Sequence, residues 1–327
     1  MHLLFDTRFL VKCCINWKWI KSDEFQYERC VQREMENDFM DQLSYELKQL
    51  CKRNKDSGFT TQKDRQRQLN LISRTLNELG YKNMSAGSLK PKHVIHLLQY
   101  WHGKDLNTGT IKNRMSVLRW WTQKINKPNL IPKDNHSLGI DKRAYSPKFN
   151  RAKQITQEQL DQIKDPYLKM SFQLQQAFGL RREECLKFQP SYADQRDHIQ
   201  IKDSWAKGGR PRVVPILTEQ QRELLQQAHQ LVGRGSLIPS HKTYIQQRHA
   251  YDNQCKQLGL NNLHGVRHQY AQSRYQHLTG WAAPVNGGPA QSSLPREQYN
   301  KDFEARLIIS RELGHNRLDV TIKYLGV

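Results

Sequence analysis

A chain of 327 residues is long enough for two domains, each with its own core. Its 52 Lys and Arg against 31 Asp and Glu leave a formal charge of +21, more than solubility requires, which points to a polyanionic partner such as a phosphate backbone. The most apolar terminal stretch, residues 1–20, is broken by Asp6, Arg8, Lys12 and Lys18, so no signal or membrane-spanning helix is expected and the chain reads as cytoplasmic.

In chain order, residues 1–34 show no sustained periodicity and are read as an extension. From Phe39, DFMDQLSYELKQLCKR and QRQLNLISRTLNELGYKN repeat apolar residues at helical spacing, the second ending at Gly80. Pro91 opens a third helix, and Thr108-Gly109-Thr110 offers an N-cap for a fourth. In that fourth helix Ile111, Met115, Leu118 and Ile125 mark one face. Lys112 and Arg119 lie on another, where they are either candidate DNA contacts or an ordinary solvated face. Residues 35–127 are therefore expected to form a helical domain.

The next stretch, 128–153, carries Lys133, Lys142, Arg143, Lys148 and Arg151 among Pro128, Pro132 and Pro147, and reads as a basic interdomain linker. Lys142 and Arg143 are expected to lie along phosphate. After it, Thr156 and Gln159 have capping-box spacing and YLKMSFQLQQAFGL continues as helix. The period then changes. His198-Ile-Gln-Ile-Lys alternates, Lys207-Gly-Gly-Arg-Pro-Arg carries turn residues, and Val213-Val-Pro-Ile resumes as strand, which together predict a β-hairpin inside a helical domain. Helices are expected over 218–232, 242–258, 264–278 and 301–314, with a loop over 279–300 marked by Gly280, Pro284, Gly287, Gly288, Pro289 and Pro295. The six cysteines, at 13, 14, 30, 51, 185 and 255, contain no C-x-x-C pair and read as reduced thiols. His264 and His268 could share a metal from one helix face, but no third ligand lies near them in sequence, so no metal is expected.

Several residue pairs suit chemistry on a phosphodiester, where planar guanidinium groups can bind the two non-bridging oxygens. Arg181 and Arg267 fit that task. Glu184 falls one helical turn from Arg181 and could orient it, or be a plain surface pair. His264 falls one turn from Arg267, so one helix face can present an imidazole and a guanidinium together. Lys207 stands at the hairpin tip, with Arg210 and Arg212 as candidate DNA contacts in the same loop. A phenol, with an ordinary pKa of about 10, needs nearby positive charge or a proton acceptor before it attacks.

The ordered segments Gly179-Leu-Arg-Arg-Glu-Glu, Lys207-Gly-Gly-Arg-Pro-Arg, His264-Gly-Val-Arg-His, Leu313-Gly-His315 and Tyr324-Leu-Gly resemble the tyrosine recombinase, or phage integrase, family. The resemblance spans residues 155 to 327, and the amino-terminal half is similar only in its helical character. It implies a mainly α fold with a small β-hairpin: a helical SAM-like core-binding domain and a mixed α+β catalytic domain (154–327) that together clamp DNA. It further implies catalytic roles for Arg181, Lys207 as general acid, His264, Arg267, His315 and the nucleophile Tyr324, with Glu184 in support. Arg181 is preferred to Arg182 because the family's Gly-x-Arg-x-x-Glu register then places Glu184. The implied reaction is site-specific cutting and rejoining of double-stranded DNA through a 3′-phosphotyrosyl bond, needing no cofactor, by a homo-oligomer that is tetrameric in synapsis, serving integration or excision of a mobile element at the bacterial nucleoid. Type IB topoisomerase-like relaxation and a non-catalytic DNA-binding regulator remain open alternatives. Two departures stand out. The interval from Arg267 to His315 is longer than the family usually uses, and Leu325, Gly326 and Val327 stand where many relatives have a tail that docks on the next subunit. Either the 279–300 loop is then expected to couple subunits, or the chain is truncated.

Overall fold

The computed structural model describes residues 41–142, 149–315 and 317–327, divided between two compact units, Met1–Arg143 and Ala144–Val327. The expected 1–34 extension and the candidate DNA contact Arg143 lie outside the described residues.

The first unit is helical, with α1 (Gln42–Arg53), α2 (Phe59–Glu78), α3 (Pro91–Gly103) and α4 (Thr108–Lys124). Its core holds Leu47, Leu69, Leu76, Leu97, Trp101, Met115, Leu118 and Trp121, all fully buried, as the helical spacing of their apolar faces requires. Pro91 and Asn107 start α3 and α4: the proline supplies a preset φ, and the Asn107 side chain accepts from the Thr110 amide at 2.9 Å. Asp56 fastens α2 to α4, accepting from Arg65 at 2.6 Å and from the Trp120 indole at 2.9 Å.

The expected linker does not begin at residue 128. Ile131 and Ile140 are buried in the first core, and 3-10 turns at Pro128–Leu130 and His136–Leu138 carry the chain between them. Arg119 anchors this stretch by donating to the Pro132 carbonyl at 3.0 Å and to Asn135 at 2.9 Å. Two isoleucines in a proline- and lysine-rich stretch were too sparse to give a period, yet each has an apolar pocket to fill.

In the second unit the Thr156–Gln159 capping box forms and opens α5 (Gln157–Asp161). There follow α6 (Pro166–Phe178), α7 (Arg182–Leu186), α8 (Pro190–Ala193), and an antiparallel hairpin of β1 (His198–Ile201) and β2 (Arg212–Pro215) in which Ile201 faces Arg212. α9 (Glu219–Val232), α10 (Tyr244–Gln257), α11 (His264–Thr279), α12 (Arg296–Glu312) and the short α13 (Ile322–Leu325) complete it. α11 packs against α6, α12 and α13, so it runs through the middle of the core formed by Phe172, Phe178, Leu186, Ile199, Val214, Val266, Tyr275 and Ile309.

The 279–300 loop is shorter than expected. Pro295 serves as the N-cap of α12, which therefore starts at Arg296 rather than 301, and the remainder folds into 3-10 turns at Pro284–Asn286 and Gln291–Ser293. A proline read as a loop marker is equally suited to a helix start, because its fixed φ fits there and its missing N–H has no bond to lose.

Ile140→Ala tests the reassigned segment: full-chain urea unfolding should lose about 2–4 kcal/mol of stability, as for a buried isoleucine. A free linker residue would leave the unfolding curve in place.

Candidate active site

Around Glu184 the chain gathers three arginines. Gly179 ends α6 at φ 59°, which turns the chain so that Arg181 becomes the N-cap of α7 and Glu184 the third residue inside it. The position needs glycine twice over, since a Cβ there would also lie 2.7 Å from the Tyr270 ring. The Glu184 side chain, 0% exposed, accepts from the Arg181 amide at 2.7 Å and from the Arg181 guanidinium at 2.8 Å. Arg212, from the start of β2, adds two bonds of 2.7 and 2.6 Å to the same carboxylate. Burial alone would raise the pKa of Glu184, but the Arg212 hydrogen bonds and the charges of Arg212, Arg267 and Arg181 bring it down to about 2.

Arg212 was expected to contact DNA. Instead its guanidinium is buried, with Nε donating to the Glu312 carbonyl at 2.7 Å, so all of its reach is directed inward. Arg182, the alternative to Arg181, pairs with Asp252 at 2.7 Å on the surface, away from this cluster.

Arg267 is fully buried on α11. Its Nη1 donates to the Gly179 carbonyl at 2.6 Å and its Nη2 to the Leu313 carbonyl, which also accepts from Arg181 at 3.0 Å. One carbonyl thus fixes two guanidinium groups. Gly314 makes that geometry possible: its φ is 65°, and a Cβ there would lie 2.9 Å from Arg212 Cδ. With Arg181, Arg212 and Arg267 against the single carboxylate Glu184, the cluster keeps a surplus of positive charge, the property an anion site needs.

Tyr324 closes the site from α13. Its hydroxyl lies 3.2 Å from His315 Nε2 and 3.3 Å from His264 Nε2, and its ring is 4% exposed. Because a phenol has one proton, it can donate to only one of these nitrogens, while the other can donate to the phenol oxygen. His268, one turn along α11, lays its ring 4.5 Å from the Tyr324 ring. Burial, then the neighbouring positive charges, lower the pKa of His264 to about 4, of His268 to about 4 and of His315 to about 3. His264 itself is exposed, and Arg267, Arg181 and Lys207 are the charges that act on it.

Lys207 and Arg210 are exposed on the hairpin loop, where Gly208 takes φ 78° to turn the chain. Lys112 and Arg119, both half-buried on α4, and the exposed Lys142 belong to the first unit. There Arg67, Arg74 and Arg114 line a polar trough between α2 and α4 that the sequence pattern did not single out. Also missed were the inward role of Arg212 and the packing of His268 on Tyr324. The latter had a usable signal, for His268 follows His264 at one-turn spacing on the same helix. His264 and His268 meet edge to face at 5.6 Å, and among the described residues no group of three potential metal ligands is gathered.

Acid should unfold this unit in two stages. His268, kept neutral by burial, contributes stability that is present above its ordinary pKa of 6.5 and lost as pH falls toward 4. The depressed Glu184 contributes stability that is present above 4.5 and lost as pH falls toward 2. Thermal melts across this range should show His268→Phe flattening the first decline and leaving the second. An unchanged first decline would contradict the burial of a neutral His268.

Two family models match the chain: "Phage integrase, N-terminal" over residues 40–130 and "Integrase" over residues 143–273. His315 and Tyr324 lie beyond the matched residues, and their place in the site rests on the geometry above. No curated protein sequence matches. Among solved structures, the chain is similar to the XerH site-specific recombinase in a post-cleavage complex with a palindromic difH substrate, at 18% identity and TM-score 0.55, covering 86% of this chain and 80% of that one. It is also similar to a lambda integrase dimer bound to a COC′ core site (14% identity, TM-score 0.56, 90% and 80% covered). A third is the Tn1549 transposon integrase with transposon right-end DNA (12%, 0.52, 86% and 93%). The paired family models, the shared two-domain fold and the ordered motifs agree that this chain belongs to the phage integrase family of tyrosine recombinases.

Proposed function

We propose that Tyr324 is the nucleophile of a site-specific DNA recombinase, with the partly exposed Arg181 contacting the scissile phosphate and the buried Arg267, its Nη atoms held by backbone carbonyls, adding its charge from behind. As a family member the chain is an enzyme that breaks and rejoins DNA. The observation that carries the residue assignment is the Tyr324 hydroxyl placed within reach of two neutral imidazoles beside a cluster of guanidinium groups.

In the proposed step the phenol oxygen attacks phosphorus as its proton passes to one of the two imidazoles. The bond from phosphorus to the 5′ oxygen breaks, leaving a 3′-phosphotyrosyl link. Lys207, whose exposed ammonium lies close enough to act electrostatically on His264, supplies a proton to the departing 5′ oxygen. A second 5′ hydroxyl later reverses the attack. Guanidinium groups fixed before substrate arrives stabilise the charge that builds on the non-bridging oxygens without reorganising at the moment of reaction. Glu184 and Arg212 act from behind, by holding Arg181.

The partner in this reading is double-stranded DNA. The lambda integrase structures, a dimer on a core site and a tetramer on a Holliday junction, support assembly into a tetramer around paired sites. The first unit contributes Lys112, Arg119 and Lys142 as candidate phosphate contacts. The similarity to a transposon integrase supports integration or excision of a mobile element as the biological task.

A nicked suicide duplex should trap wild-type protein covalently, with or without EDTA, and Tyr324→Phe should form no such link. Covalent trapping by the variant would place the nucleophile elsewhere. For Lys207→Ala, cleavage should slow by about 10²–10⁴, the range for a lost general acid. Replacing the bridging 5′ oxygen with sulfur, a leaving group that needs no proton, should restore most of the rate. Failure of that rescue would remove Lys207 from the acid role.

A further inference from the structure

The phenol of Tyr324 is held at one end by the histidines, and the structure also shows how the other end, its backbone, is held. α13 is a single turn, so the Tyr324 carbonyl, near its end, lies among the last carbonyls of a helix, which have no intrahelical partner. Gln272, buried on α11, donates to it from Nε2 at 2.9 Å.

Gln272 is itself one member of a ring of three amides. Its Nε2 also donates to Asn150 Oδ1 at 2.9 Å; Asn150 Nδ2 donates to Asn286 Oδ1; and Asn286 Nδ2 donates back to Gln272 Oε1 at 2.9 Å. Each amide in the ring gives one N–H and takes one, in the same rotational sense. Every donor and acceptor of Gln272 is engaged, because Asn150 Nδ2 also reaches Oε1 at 3.3 Å. Rotating the Gln272 amide by half a turn would set its oxygen against the Tyr324 carbonyl and its N–H groups against those of Asn150 and Asn286. Only one orientation satisfies the set, and it directs an N–H at Tyr324.

The three members come from different parts of the unit. Asn150 lies just after residues 143–148, Gln272 is central in α11, and Asn286 ends the 3-10 turn Pro284–Asn286 in the stretch that makes the interval from Arg267 to His315 long. That turn also lies on the nucleophile segment directly. Gly326, at φ 85°, has no room for a Cβ, which would meet the Val285 nitrogen at 2.9 Å and Pro284 Cβ at 3.2 Å.

We propose that Asn150, Gln272 and Asn286 are positioning residues that fix the backbone of Tyr324 in register for attack, and that the 284–286 turn works as a strap over the nucleophile segment. The inference rests on Tyr324 being the nucleophile. Displacing that backbone by a fraction of an ångström moves the phenol oxygen away from phosphorus while leaving the arginines that bind DNA in place, so loss of the ring acts on the rate of cleavage and not on affinity.

The test uses the full chain in single-turnover cleavage of nicked duplex, with separate titration of intact duplex and a thermal melt. Gln272→Leu and Asn286→Ala should each slow covalent-complex formation by about tenfold or more, with affinity for intact duplex within about twofold of wild type. Asn150→Ala combined with Gln272→Leu should be no slower than Gln272→Leu alone, because one ring is broken only once. Unchanged cleavage rates, a rate loss matched by an affinity loss, or multiplying effects in the double variant would each overturn the proposal. If Gln272→Leu fails to fold, Asn286→Ala and Asn150→Ala, at exposed positions, carry the same comparison. Tyr324→Phe is run beside them. Covalent trapping by Tyr324→Phe overturns the nucleophile assignment and this inference together. Loss of trapping there with full rates in the amide variants overturns the amide ring alone.

Discussion

Two buried guanidinium groups, those of Arg212 and Arg267, and the partly exposed one of Arg181 meet one buried carboxylate in the second unit, and the placement of almost everything else in the site follows from keeping them together. Glu184 accepts from Arg181 and Arg212, while the Leu313 carbonyl accepts from Arg181 and Arg267. Like charges this close would repel strongly in a medium of low polarity. The carboxylate and the backbone carbonyls of Gly179, Glu312 and Leu313 offset that repulsion enough for the chain to fold. They leave an excess of positive charge that a phosphate group would relieve. Glycines at 179 and 314 bring the carbonyl-bearing backbone close to the arginines, where any Cβ would collide.

Loss of water, and after it the same excess of positive charge, sets the state of the histidines. Beside Arg267 and Arg181, and partly out of water, His264 and His315 stay unprotonated at neutral pH and so can take a proton from a phenol. A bound phosphate diester brings negative charge to the same place and favours the imidazolium that proton transfer creates. In the proposed mechanism, substrate binding and proton acceptance are supported by one electrostatic arrangement.

Much of this was legible in the sequence, and the illegible part has a common cause. The family's Gly-x-Arg-x-x-Glu register selected Arg181 over Arg182, and one-turn spacing then linked Glu184 to Arg181 and His264 to Arg267, because both pairs sit on or at the start of a helix where sequence distance is spatial distance. Leu313-Gly-His315 and Tyr324 were recognisable through the family resemblance, since their separation alone would not bring a hydroxyl to two imidazoles. The inward turn of Arg212 was hidden because its partner, Glu184, belongs to another element and an arginine in a lysine- and glycine-rich loop looks like a surface residue. Gln272, Asn150 and Asn286 were invisible for the same reason: neutral amides carry no charge pattern or period, and they meet only in the folded chain. The packing of Ile140 and the early start of α12 show local composition misjudged where tertiary burial or a helix start made use of residues typical of loops.

In the proposed mechanism this charge cluster holds a DNA phosphate against Tyr324. The most direct measurement is to cleave a nicked duplex, digest the trapped complex with protease and nuclease, and locate the linked nucleotide by mass spectrometry. The expected product is a 3′-phosphonucleotide linked to the peptide that contains Tyr324 and to no other. A link through any other residue, or a 5′-phosphate at the tyrosine, would contradict it.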